Sequence, residues 1–252
     1  MSLLIARLES TKLFRHPITS LIMILTMGLL WLFFYRMLVD YLTLMQNALV
    51  QGSRHASLSL EVIKPFFSWG ILVLAFILPV FTTNAFSVEF QQKTFYLWAT
   101  HPVSALQLVL GKYVSILGVI LLILSAMLLM ILTLQIEATV DWQIILGGCV
   151  ATMAVGSALV SFGLFVSCLV SSPLLAIGIT VVGNMMWLLI EWLSPFSHRT
   201  VPTGDLSLLG HSFHLLHGHF QSLDILFYVI FTTFWLLMST RLIAYKIKQV
   251  PR

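Results

Sequence analysis

Six apolar runs divide the chain, at roughly 18–38, 66–86, 113–134, 144–170, 174–193 and 225–243. A helix needs about 20 such residues to cross the hydrocarbon of a bilayer. Lipid offers the backbone no hydrogen-bond partners, so each run is predicted to be an α-helix. The alternating ten-residue segments of a transmembrane barrel are absent. The pattern predicts an all-α membrane protein: one domain over residues 1–252 with six transmembrane helices.

The stretches between the runs differ in kind. Residues 2–14, SLLIARLESTKLF, set apolar positions against Arg7, Glu9 and Lys12. They fit an amphipathic helix in the membrane interface over residues 1–16, or an ordinary charged flank. Pro17 suits the first turn of the first span. Residues 39–63 read as an outer loop without a chemical motif. The loop at 136–141 is short, and Ser171, Ser172 and Pro173 alone join spans four and five, so spans three to five are predicted to form tight antiparallel pairs.

Residues 87–112, SVEFQQKTFYLWATHPVSALQLVLGK, stand apart. They are too polar to span and too apolar for a free loop. The sequence places Glu89 and Lys93 on a short surface helix, and Pro102 turns the chain before span three. Glu89, Gln91, Gln92 and Lys93 would supply polar contacts, and Phe90, Phe95, Leu97 and Trp98 apolar ones. The residues alone fit a docking segment for a cytoplasmic partner or an ordinary inside loop. Residues 194–224 form the longest outer segment, and 206–220 within it read as a short or re-entrant helix buried by protein.

Composition sharpens this. The chain is 59% hydrophobic and 9% charged, against about a quarter charged in soluble domains. Nine of the thirteen Lys and Arg residues fall on the side that holds both termini, which predicts cytoplasmic termini. The net charge of +4 thus reflects topology and is no argument for nucleic acid. Cys149 and Cys168, both in the fourth span, lack metal spacing and read as small apolar side chains.

Chemistry-bearing residues are few. In span four Gly148, Thr152, Gly156 and Gly163 form a small-residue face, suited to close helix packing, a subunit interface or a smooth conduit wall. Asn184 sits near the centre of span five, where an amide bridges helices or marks a site. Ionisable pairs deep in the membrane are not evident, which argues against a proton- or sodium-coupled transporter. Five of the eight histidines lie between 198 and 219, and His211 and His214 share a helical face. Metal or pH sensing there is the minor reading, since no Cys or acidic arrangement accompanies them; interfacial, nonligating histidines are the main one. No P-loop precedes Lys112 and no Gly-x-Ser-x-Gly elbow occurs, so any ATP that drives this protein must bind another chain.

Pro79, Glu89, Thr94, Thr100, Pro102, Val103, Ser104, Gly111 and Lys112 fall in an order and spacing that resemble the loop of ABC-2 type permease subunits, particularly the gliding-motility type. His219, Phe220 and Asp224 to Tyr228, leading into span six, extend the likeness over the whole chain. Lys93 stands where that family usually has Gly, and Tyr96 where it often has a second acid. The resemblance implies a non-enzymatic membrane subunit of an ATP-driven exporter in a bacterial inner membrane, with a coupling helix at 87–101. It implies a cytoplasmic ATPase subunit carrying ATP and Mg, a second permease subunit, and no cofactor on this chain. Glu89, Gln92, Lys93, Thr94, Thr100 and Pro102 would form the ATPase contact, with Glu89 foremost. The alternative is a non-transporting membrane protein, either handling haem or metal or scaffolding an envelope complex.

Overall fold

The computed structural model describes residues 9, 11, 17–51, 57–94, 104–134, 141–190, 207–218 and 221–248, and all their regular structure is helical. The elements are α1 (Pro17–Gln51), a π-helical turn (Ser59–Ile63) running into α2 (Lys64–Gln91), α3 (Ala105–Leu134), α4 (Trp142–Leu169), α5 (Pro173–Leu189), α6 (Leu208–Leu216) and α7 (Ser222–Lys248). Glu9 and Thr11 are helical; the rest of the expected interfacial helix lies outside the described residues.

Local signals explain several boundaries. Pro17 and Pro173 open α1 and α5, where the missing N–H costs nothing. Asp141 caps α4 by accepting from the Gln143 N–H at 3.1 Å. Ser207 caps α6 by accepting from the Gly210 N–H at 3.1 Å. The 39–63 loop expectation is corrected: α1 runs 35 residues, to Gln51, and helix resumes by Leu58. Polar side chains mark where a helix leaves lipid, but helix propensity does not stop there, and no Gly or Pro interrupts 39–51. The Arg36–Asp40 pair, four residues apart at 3.2 Å, leads into that stretch.

Of the six expected spans, five are long and apolar enough to cross a membrane. The helix that should be the fifth span, α5, has 17 residues, or about 25 Å at 1.5 Å per residue. Its expected run to residue 193 is described only as far as Ile190.

Helix α4 is the centre, packing against α2, α3, α5, α6 and α7. Apolar side chains gain little by meeting one another rather than lipid, so close approach and hydrogen bonds must hold such a bundle. Span four's small residues do this. A Cβ on Gly148 would lie 2.2 Å from the Phe67 ring of α2, one on Gly163 2.5 Å from Thr82 of α2, and one on Gly156 2.9 Å from Ile120 of α3. Thr152, fully buried, turns its hydroxyl onto the Gly148 carbonyl at 2.8 Å. Within this chain the face packs against α2 and α3. A different face of α4, at Val150, Ala154 and Ser157, floors an apolar groove between α3 and α7.

Pro79 lies inside α2 and has no N–H for the carbonyl of Ala75 four residues earlier. Asn184 on α5 fills the gap, its Nδ2 donating to Ala75 O at 3.2 Å. The buried amide is thus a structural bridge. Further along α2, Ser167 Oγ of α4 accepts from the N–H groups of Phe86 and Ser87 at 3.1 and 3.0 Å and donates to Thr83 O at 3.3 Å. One hydroxyl uses its full capacity to pin α4 to the final turns of α2.

Candidate functional site

The polar segment read from the sequence is divided by the structure. Residues 87–91 are the last turn of α2 and 105–112 open α3, so no separate short helix carries Glu89 and Lys93. The helix stops at Lys93, which adopts φ 58°. The Thr94 N–H donates to Glu89 O at 3.0 Å and the Lys93 N–H to Phe90 O at 3.2 Å, the two bonds of a Schellman cap. That left-handed position normally takes Gly, and Lys93 adopts it with a Cβ to accommodate. Gln92, Lys93 and Thr94 are exposed beyond the stop. Thr100 and Pro102 lie outside the described residues.

Glu89 does not face outward with them. It is 3% exposed, and its Oε1 lies 2.6 Å from Lys112 Nζ on α3. A carboxylate in the last turn of a helix faces the negative end of the dipole, so it needs a cation there. Lys112, 1% exposed, also reaches Ala85 O at 2.5 Å and Glu9 Oε1 at 3.3 Å, and lies 4.9 Å from the centre of the Phe86 ring. All three donor positions of the ammonium are engaged. Three ionisable groups are thereby buried together at the end of the bundle. The sequence disguised them, because Glu9, Glu89 and Lys112 lie on three separate elements.

A second lysine reaches the same turn from α7. Lys246 Nζ sits 3.8 Å from the centre of the Phe90 ring and donates to Cys168 O, at the end of α4, at 2.8 Å. Phe86 and Phe90 stack with centroids 6.3 Å apart. The last turn of α2 therefore presents an aromatic pair with an ammonium on each ring.

The opposite end holds the histidines. His211 Nδ1 lies 2.6 Å from Oδ1 of Asp224, which is 2% exposed in the first turn of α7. His214 Nδ1 is 3.5 Å from Oδ2 of the same carboxylate. His211 also stacks on Phe227 at 4.3 Å, and Tyr228 OH donates to Leu208 O at 2.6 Å, so α6 is bound to α7 by several contacts. His217 Nε2 contacts Lys64 Nζ at the start of α2. Asp224, 13 residues from His211, thus meets both imidazoles. Among the described residues no three or more His, Cys, Asp or Glu side chains are placed to hold a metal ion.

The sequence reading did not name Glu9, Phe86, Lys112, Asp224 or Lys246 as site residues. A weak signal existed: Glu9 and Glu89 are acids on a side otherwise rich in Lys and Arg, and buried acids there require partners.

No curated protein matches the chain. Residues 5–186 match the family model described as ABC-2 family transporter protein. That match runs from the segment bearing Glu9, through the ionic cluster and the central helix α4, into α5. This multi-pass membrane chain belongs to the ABC-2 family of transporter proteins.

Proposed function

We propose that the chain is the membrane-spanning permease subunit of an ATP-driven exporter, with ATP and Mg bound by a separate cytoplasmic subunit. Both termini and the 92–104 segment face the cytoplasm, in a bacterial inner membrane. Two such subunits, identical or related, enclose an outward path for a substrate leaving the cytoplasm or inner leaflet. The observation that carries this reading is the junction at the end of α2. An exposed cap, Gln92 to Thr94, projects from a turn whose inner side is locked by buried charges. A partner pressing there would act on a firm base. Gln92, Lys93 and Thr94 then belong to the contact, while Glu89 supports it from within.

A photo-crosslinking amino acid at Gln92, in the full-length protein in its native membrane, tests this. The expected result is a crosslink to an ATP-binding cassette subunit, with none from the same probe at Asp40, which lies at the opposite end of the bundle. No ATPase crosslink from Gln92, or equal labelling from Asp40, would overturn the reading.

A further inference from the structure

The last turn of α2 is gripped on both sides by lysines from helices distant in sequence. Lys112 lies 23 residues beyond Glu89 and 103 beyond Glu9. Lys246 joins Phe90 to the Cys168 carbonyl in the last turn of α4, 78 residues before it. Burying an ammonium is costly, and a well-packed apolar residue often holds a core as well or better. A lysine contact differs in being directional and limited to one registry. Lys112 fills its donor positions with three groups, Glu9 and Glu89 carboxylates and the Ala85 carbonyl, one from the N-terminal segment and two from α2. Lys246 fastens α7 to α4 and α2 in the same layer.

We infer that Lys112 and Lys246 are positioning residues that make the last turn of α2, the N-terminal segment, α3, α4 and α7 one rigid body. A push on the segment after Gln92 is then delivered to the whole bundle end instead of bending α2 alone. Glu9 draws its own part of the N-terminal segment into that body. The consequence for transport rests on the permease reading above, but the clamp is a property of this chain and can be measured without any ATPase.

The test uses full-length protein in lipid nanodiscs, with Cys149 and Cys168 replaced by alanine. Spin labels are placed at Gln92→Cys with Thr11→Cys, or at Gln92→Cys with Lys248→Cys; all three sites are exposed. Pulsed-EPR distance distributions with the lysines in place should show one narrow population for each pair. Lys112→Gln should add a second population to the 11–92 pair and leave 92–248 narrow, whereas Lys246→Gln should do the reverse. Lys112→Arg, which keeps the cation, should retain more of the single 11–92 population than Lys112→Met, which keeps only the apolar bulk; a simple packing role would not give that order. If Lys112→Gln fails to insert, Glu9→Gln serves, and should disturb the 11–92 pair alone. Narrow distributions in every single variant, or broad ones with both lysines present, would overturn the clamp. A missing ATPase crosslink would overturn the permease reading while leaving these distances unchanged.

Discussion

At one end of the bundle Glu89 is buried against Lys112; at the other, Asp224 is buried against His211. The settings look alike but differ in reach and in chemistry. Asp224 stands in the first turn of α7, where the helix dipole favours an anion, and its partners lie on the neighbouring α6. Glu89 stands in the last turn of α2, where the dipole disfavours it, and its partner Lys112 on α3 also holds Glu9 of the N-terminal segment. The first arrangement is local and built on imidazoles; the second is long-range and built on a lysine ammonium. The lesson is that the lysine end is built to hold separate elements in register, whereas the histidine end fastens a short surface helix.

The helix stops repeat the contrast. Helix α6 ends on Gly218 at φ 76°, where glycine carries no Cβ penalty. Helix α2 ends on Lys93 at φ 58° in the same kind of cap. The histidine end has the residue its backbone prefers, and the lysine end keeps a strained one at the surface that is proposed to meet the ATPase.

Breaking the buried charges should have the largest effect. Lys112→Ala leaves Glu9 and Glu89 buried without their cation and is expected to cost about 3–5 kcal/mol. Thermal unfolding in detergent would read this, and a variant as stable as the wild type would remove the distinction between the two ends. Asp224→Asn keeps the shape and a hydrogen-bonding group, so a smaller loss of about 1–3 kcal/mol is expected in the same assay. If it matched Lys112→Ala, the local and long-range arrangements would carry equal weight.

Next come the glycines of α4. A Cβ at Gly147 would lie 2.0 Å from the Leu215 carbonyl, and one at Gly148 2.2 Å from the Phe67 ring. Neither rigid group yields easily, so each alanine variant should lose about 1–3 kcal/mol by overpacking. At Gly156 the neighbour is the flexible tip of Ile120, so alanine there should unfold close to the wild-type temperature. Gly147→Ala should also loosen α6, seen as faster hydrogen exchange over 208–216. An unchanged exchange rate would mean that the histidine end does not depend on this contact.

The caps give the smallest effect and the finest comparison. Lys93→Gly should stabilise by about 1 kcal/mol and Gly218→Ala should destabilise by a similar amount, because only glycine is at ease in the left-handed region. Equal and negligible shifts in a denaturant titration would show that neither stop is strained. A stabilising Lys93→Gly that also weakened the Gln92 crosslink would tie the lysine side chain to the partner surface.

Much of the helical framework was legible. Apolar length located the helices, Pro17 and Pro173 marked two starts, and the apolar character of 206–220 pointed to α6. Elsewhere the signals misled for physical reasons. Hydropathy ends where lipid ends, but α1 continues through 39–51 because nothing there breaks a helix. The stop after Gln92 was hidden because its cap carries lysine in place of glycine. Asn184 looked like an isolated polar group because its partner, the Ala75 carbonyl, is freed only by Pro79 on another helix.

Chain composition and periodicity decide what is local: which stretches prefer lipid, where a helix can start, and that no P-loop is present. Which carboxylate meets which cation is a different matter. Lys112 meets Glu9 across 103 residues, and Lys246 meets the Cys168 carbonyl across 78. Hydropathy treats each of these lysines as one more charge beside a membrane. Only the packing of α2, α3, α4 and α7 around small residues brings those charges together and gives the buried Lys112 ammonium the partners that make its burial tolerable.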